Sequence, residues 1–211
     1  LAGHHSPYDR PQADRQFPAG PCCLEGQIAD AADRIAYNCH DLEDGIRAWL
    51  IEEQQARQIA LFAAAQEQIR AGTIDDFVIR RTRTAKAILD ALVGDVIETS
   101  RRALKEAGIR SLDQVYRHPG PLIALNKQTD TWVKELESFL MKNLYRHPSL
   151  TEVDDKIRQW LGRLFEALCK KPERMPTYFR NLIESEGLHR TVCDYIAGMT
   201  DRFALSLLDE L

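Results

Sequence analysis

From Leu24 onward, apolar residues recur every three or four positions, the spacing of one buried helical face, and nowhere do they alternate convincingly over the length of a strand. The pattern predicts a helix over about 24–50, a second over 52–72 stopped by Gly72, and a third over about 75–107 stopped by Gly108. The stretch RHPGPLIALN, 117–126, is punctuated by proline and reads as a loop, with a further helix over 129–144. Ser149 to Glu152 has the S-x-x-E form of a capping box and predicts a helix that fades near Pro172. Two shorter helices then fit 175–185 and 188–211. Residues 1–23 carry no apolar period and read as an irregular arm. The expectation is therefore all-α, a multi-helix bundle in which 24–211 form a single helical domain.

Composition narrows the partners. The chain has 211 residues, 44% of them hydrophobic, enough for one well-buried domain. A net charge of −4 offers no concentrated positive field, so nucleic acid is not indicated. The basic run IRRTRTAK, 79–86, and the pair Arg101 and Arg102 lack interleaved aromatics and read as solvated charge. Charges interrupt every apolar stretch well before the roughly 20 residues of a membrane span, and no signal-peptide core follows the first residues. A cytoplasmic protein without a membrane partner is expected. Five cysteines with no C-x-x-C read as free thiols rather than as a disulfide framework or a thiolate zinc site.

Candidate chemistry sits on the first helix. At about 100° per residue, Leu24, Ile28, Ala31, Ile35, Leu42, Ile46 and Trp49 make one apolar stripe. Asp33, Tyr37 and Asp41, four residues apart, form a column within roughly 80° on the side away from it. On an arbitrary amphipathic helix such a column faces water. Here, like charges on nearby turns repel unless a cation or hydroxyl donor lies between them, and a tyrosine suits a pocket wall better than a fully solvated face.

The segment ADRIAYNCHDLEDGI, 32–46, resembles the helix that bears the fourth metal ligand in the deoxyguanosine triphosphate triphosphohydrolase (dGTPase) family of HD-domain phosphohydrolases. NLYRHP at 143–148 and DYIAGMTDRFAL at 194–205 resemble that family's later segments, in the same order. The resemblance implies an HD-domain-like helical fold. It also implies hydrolysis of a deoxynucleoside triphosphate to deoxynucleoside and triphosphate, and assembly into homo-oligomers. Asp33 corresponds to the family's last metal ligand, for a divalent ion such as Mg or Mn or a transition metal. Tyr37 and Asp41 match positions that meet the sugar, the carboxylate accepting from the 3′-hydroxyl and the ring crowding the 2′ carbon. Arg34 could reach phosphate oxygens; its alternative role is a surface charge.

The sequence departs from the family upstream, where no H…HD series precedes Asp33. His4 and His5 lie in the arm and are expected to face solvent; His40-Asp41 follows the aspartate it should precede, and Cys39 reads as a small buried thiol. The chain is therefore expected to be the C-terminal portion of such an enzyme, lacking the N-terminal part of the HD domain, with an incomplete metal site and little activity alone. A non-catalytic helical regulatory or interaction module is the alternative. Trp132, Phe139, Trp160 and Phe165 are expected in the core, and Tyr195, Met199, Phe203 and Leu207 in core or subunit packing.

Overall fold

The computed structural model describes residues 22–210, which form ten α-helices and no strand. His4, His5 and most of the expected arm lie outside the described residues. The chain divides into two compact units, with the boundary in sequence between Arg146 and His147. The division follows from burial. Two separate apolar clusters form, one around Leu42, Ile88 and Leu136 and the other around Leu164, Leu168 and Val192.

The first unit contains α1 (Leu24–Arg47), α2 (Glu53–Ala56), α3 (Ala60–Gln68), α4 (Phe77–Glu106), α5 (Leu112–Arg117) and α6 (Lys127–Leu140). α6 continues into a π-helical segment, Met141–Tyr145. Ile35, Leu42 and Ile46 of α1 meet Phe62 of α3, Ile88 and Leu92 of α4, and Val133, Leu136 and Leu140 of α6, all buried. Each such side chain contributes about 1.5–3 kcal/mol by leaving water, which holds α1 against three other helices. The stripe on α1 is shorter than predicted, because Ile28 is 52% exposed and Trp49 is 76% exposed.

Trp49 lies beyond the helix. After Arg47 the chain closes in a Schellman arrangement: the Leu50 N–H donates to Gly45 O at 3.0 Å and the Trp49 N–H to Ile46 O at 3.2 Å. Trp49 takes the left-handed position, φ 60°, that glycine ordinarily fills. α4 ends in the same way, with Gly108 at φ 63° and the Ile109 N–H donating to Leu104 O at 3.2 Å. Gly45 has its own reason to lack a side chain, since a Cβ there would stand 2.6 Å from Ile51 Cδ1.

Caps fix the other boundaries. Asp76 accepts from the Ile79 N–H at 2.9 Å, and Asn126 accepts from the Gln128 and Thr129 N–H groups at 2.9 and 3.0 Å. The single helix predicted over 52–72 is broken into α2 and α3, because Ile59 is extended (ψ 125°) while its side chain enters the core. α5, capped by Ser111, falls where no helix was predicted.

The second unit contains α7 (Pro148–Lys170), α8 (Thr177–Glu186), α9 (Leu188–Ala197) and α10 (Asp201–Glu210). α7 begins before the predicted S-x-x-E box: His147 is its cap, accepting from the Ser149 N–H through Nδ1 at 3.3 Å, and Pro148 fills the first turn, where its missing donor costs nothing. The helix predicted over 188–211 breaks at Gly198–Thr200. Tyr195 and Leu207 reach the core, but Phe203 is exposed. Trp160 is 40% exposed rather than buried and lines an apolar groove between α7 and α10 with Val153, Ile157 and Leu205.

Candidate functional site

α1 carries the column, and α6 determines which way each side chain of α1 is used. Arg34 turns toward α6, donating from Nε and one terminal nitrogen to Glu137 at 2.7 and 3.2 Å, and from the other to Asp130 at 2.7 Å. Buried Asn38, one turn on, donates to the Arg34 carbonyl at 2.8 Å and to Glu137 at 3.3 Å. Hydrogen bonding to Glu137, joined by Asp130, outweighs burial and holds the Arg34 guanidinium firmly in its charged form. Two carboxylates thus occupy its donors, and its geometry is that of a strut between helices.

The column runs beside it along α1, and Asp41, about two turns on from Arg34, also reaches the α6 chain, through Tyr145. Asp33 is exposed, with no partner among the described residues, so its oxygens are available. Tyr37 is 56% exposed. Asp41 is half-buried, and its Oδ2 accepts a short hydrogen bond from the hydroxyl of Tyr145, at the end of the π-helical segment. The Tyr145 ring lies beside that of Tyr37, centroids 6.2 Å apart and planes 24° from parallel. Burial, and then the Asp41 carboxylate, push the Tyr145 phenol well above its ordinary value, so it remains a donor.

The structure therefore leaves Asp33 and Tyr37 exposed on α1, holds half-buried Asp41 through Tyr145, and ties Arg34 to Glu137 and Asp130 of α6. It adds Tyr145, which sequence reasoning missed: Asp41 and Tyr145 are 104 residues apart, and NLYRHP gave a place in the chain without a role. Cys39 is buried, as a small apolar thiol should be. A cleft of about 430 Å³ lies apart from the column. It lies on the Arg34 side, between α1 and the loop 121–125, with Ala31, Ile35 and Val96 among its lining residues. The Gln27 side chain secures that loop by accepting from the Leu122 and Ile123 N–H groups at 2.7 and 3.2 Å.

For a metal, the described residues fall short. Asp33 offers an oxygen ligand, but no three His, Cys, Asp or Glu side chains among them gather around a common point. These residues alone do not make a divalent-ion site. What they can do is present one carboxylate and one aromatic ring to a polar, hydroxyl-bearing ligand.

Residues 123–210 match the Phosphohydrolase-associated domain, a stretch that runs from just before α6 to the end of α10. The deoxyguanosinetriphosphate triphosphohydrolase-like protein of Geobacter metallireducens is 38% identical over 208 residues, which cover 97% of this chain and 54% of that protein. Its namesake in Geobacter sulfurreducens is 35% identical, over 96% and 53%. The protein of the same description numbered 1 in Deinococcus radiodurans is 32% identical, over 86% and 49%. The chain thus spans about half the length of the curated relatives it matches. Among the described residues no helix is long and apolar enough to cross a membrane. An all-α chain that aligns in this way with proteins of one description belongs to the deoxyguanosinetriphosphate triphosphohydrolase-like family of HD-domain phosphohydrolases, and corresponds to their C-terminal portion.

Proposed function

We propose that the protein bearing this chain is a cytoplasmic, homo-oligomeric hydrolase that splits a deoxynucleoside triphosphate into deoxynucleoside and triphosphate, and that α1 supplies its sugar contacts. The observation that carries this reading is the state of the column. Asp33 is exposed and unpaired among the described residues, Tyr37 is exposed, and Asp41 has one oxygen held by Tyr145 and the other free to accept. In this reading Asp41 accepts from the 3′-hydroxyl and Tyr37 lies against the 2′ carbon, so that an added ribose hydroxyl meets the ring. Arg34 is assigned to holding α1 on α6, not to phosphate, because Glu137 and Asp130 already use its donors. Asp33 is proposed as one ligand of a divalent ion in the whole protein. Its other ligands are not among the described residues, so no reaction step is derived through it.

The test is triphosphate release from the four deoxynucleoside triphosphates with manganese. The samples are the native-length protein, the 211-residue chain and native-length Asp33→Ala. Release by the unmutated native-length protein alone is expected. Undiminished release by Asp33→Ala would remove Asp33 from the site, and no release by any of the three would favour a non-catalytic helical module.

A further inference from the structure

We propose, resting on the sugar-binding reading above, that Tyr145 is a positioning residue for the nucleotide sugar, acting through Asp41. A carboxylate turns readily about its last torsion, whose wells are broad. Unrestrained, Asp41 would meet an incoming hydroxyl in many orientations. The Tyr145 hydroxyl fixes it by donating to Oδ2, which leaves Oδ1 as the acceptor for one further donor. Because the phenol stays protonated and neutral, it orients Asp41 without cancelling its charge, as a lysine or arginine there would.

The backbone provides for this placement. α6 widens into the π-helical turn Met141–Tyr145, and a wider turn alters the direction in which residue 145 projects compared with a continued α-helix. Leu144 anchors the segment: it is buried in the core, with Cδ1 3.3 Å from where a Cβ on Gly45 would stand. The next residue then points its hydroxyl at Asp41 and sets its ring beside Tyr37. One side chain thereby aligns both proposed sugar contacts.

The test compares kcat/KM for a deoxynucleoside triphosphate with that for its 2′,3′-dideoxy counterpart, which lacks the 3′-hydroxyl, in the native-length protein. The wild type is expected to prefer the 3′-hydroxyl form. Tyr145→Phe, which keeps the ring and removes the donor, should shrink that preference about tenfold, mainly through KM. Tyr145→His, which returns a ring donor, should restore part of it. Combined with Asp41→Asn, Tyr145→Phe should shrink it no further than Asp41→Asn does alone. An undiminished preference in Tyr145→Phe, or in donorless Tyr145→Leu if the phenylalanine variant does not fold, overturns the proposal. A wild type that releases no triphosphate, or that ignores the 3′-hydroxyl, instead overturns the sugar-binding reading and this proposal with it.

Discussion

The indole of Trp49 lies flat against the ring of Phe77, centroids 4.9 Å apart and planes within 12°. This stack opposes a backbone cost, since a bulky residue at φ 60° is disfavoured by about 1–2 kcal/mol. Offset aromatic pairs contribute about 0.5–1.5 kcal/mol beyond burial, so the two effects nearly offset each other. Trp49→Gly should consequently leave stability almost unchanged. Trp49→Ala, which keeps the strain and loses the stack, should cost about 1 kcal/mol more, as read by denaturant melts of both variants.

The strut from Arg34 to Glu137 should behave as a coupled pair. Arg34→Met and Glu137→Gln should each destabilise the chain, and the double variant by less than their sum. A coupling of about 1 kcal/mol is expected, because Arg34 is 35% exposed and solvent screens part of the attraction. A coupling near zero would mean that Asn38 and the apolar contacts suffice to hold α1 on α6.

Acid should unfold the first unit by a specific route. The Lys134 and Arg34 hydrogen bonds hold the Asp130 carboxyl below its ordinary value. Burial pushes Glu53 upward, but its bonds to Arg80 and Gln66 outweigh that and leave it lowered. Groups with depressed folded values bind protons more readily when unfolded. Their contribution is therefore complete at neutral pH and is lost as pH falls from about 5 through the folded values. Asp130→Asn should flatten the acid limb of a plot of melting temperature against pH.

Burial pushes the Cys39 thiol up to about 11, so little thiolate forms near neutral pH. Alkylation by iodoacetamide at pH 8 should label exposed Cys193 first and Cys39 only on unfolding, as mass spectrometry of digests would show. Early labelling of Cys39 would mean that α1 opens locally.

Asp33→Ala should shift the melting temperature by no more than about 1 °C, since the side chain is exposed and makes no hydrogen bond or ion pair among the described residues. A loss of activity in that variant would then report on chemistry and not on folding.

Much of this architecture is legible in the sequence because helices are local. The period that places Leu42 and Ile46 in the core also turns Asp33, Tyr37 and Asp41 away from it. What escaped depends on distant partners. Nothing in QARQIALF marks the break before Ala60: no glycine or proline occurs there, and the core's demand for the Ile59 side chain imposes the turn. Arg34 reads as a free cation until α6 places Glu137 and Asp130 beside it. The exposure of Trp160 likewise cannot be read from α7, whose apolar face outruns the helices that cover it.

The bonds from Gln27 to Leu122, Arg34 to Glu137 and Asp41 to Tyr145 close stretches of 95, 103 and 104 residues. Closing so long a loop is entropically costly and must come before any of these bonds can form. During synthesis, α1 therefore leaves the ribosome with Asp41 unaligned and stays so until the end of α6 arrives. The organisation of this face is thus a late event in the life of the chain, and should be among the first things lost when α6 frays.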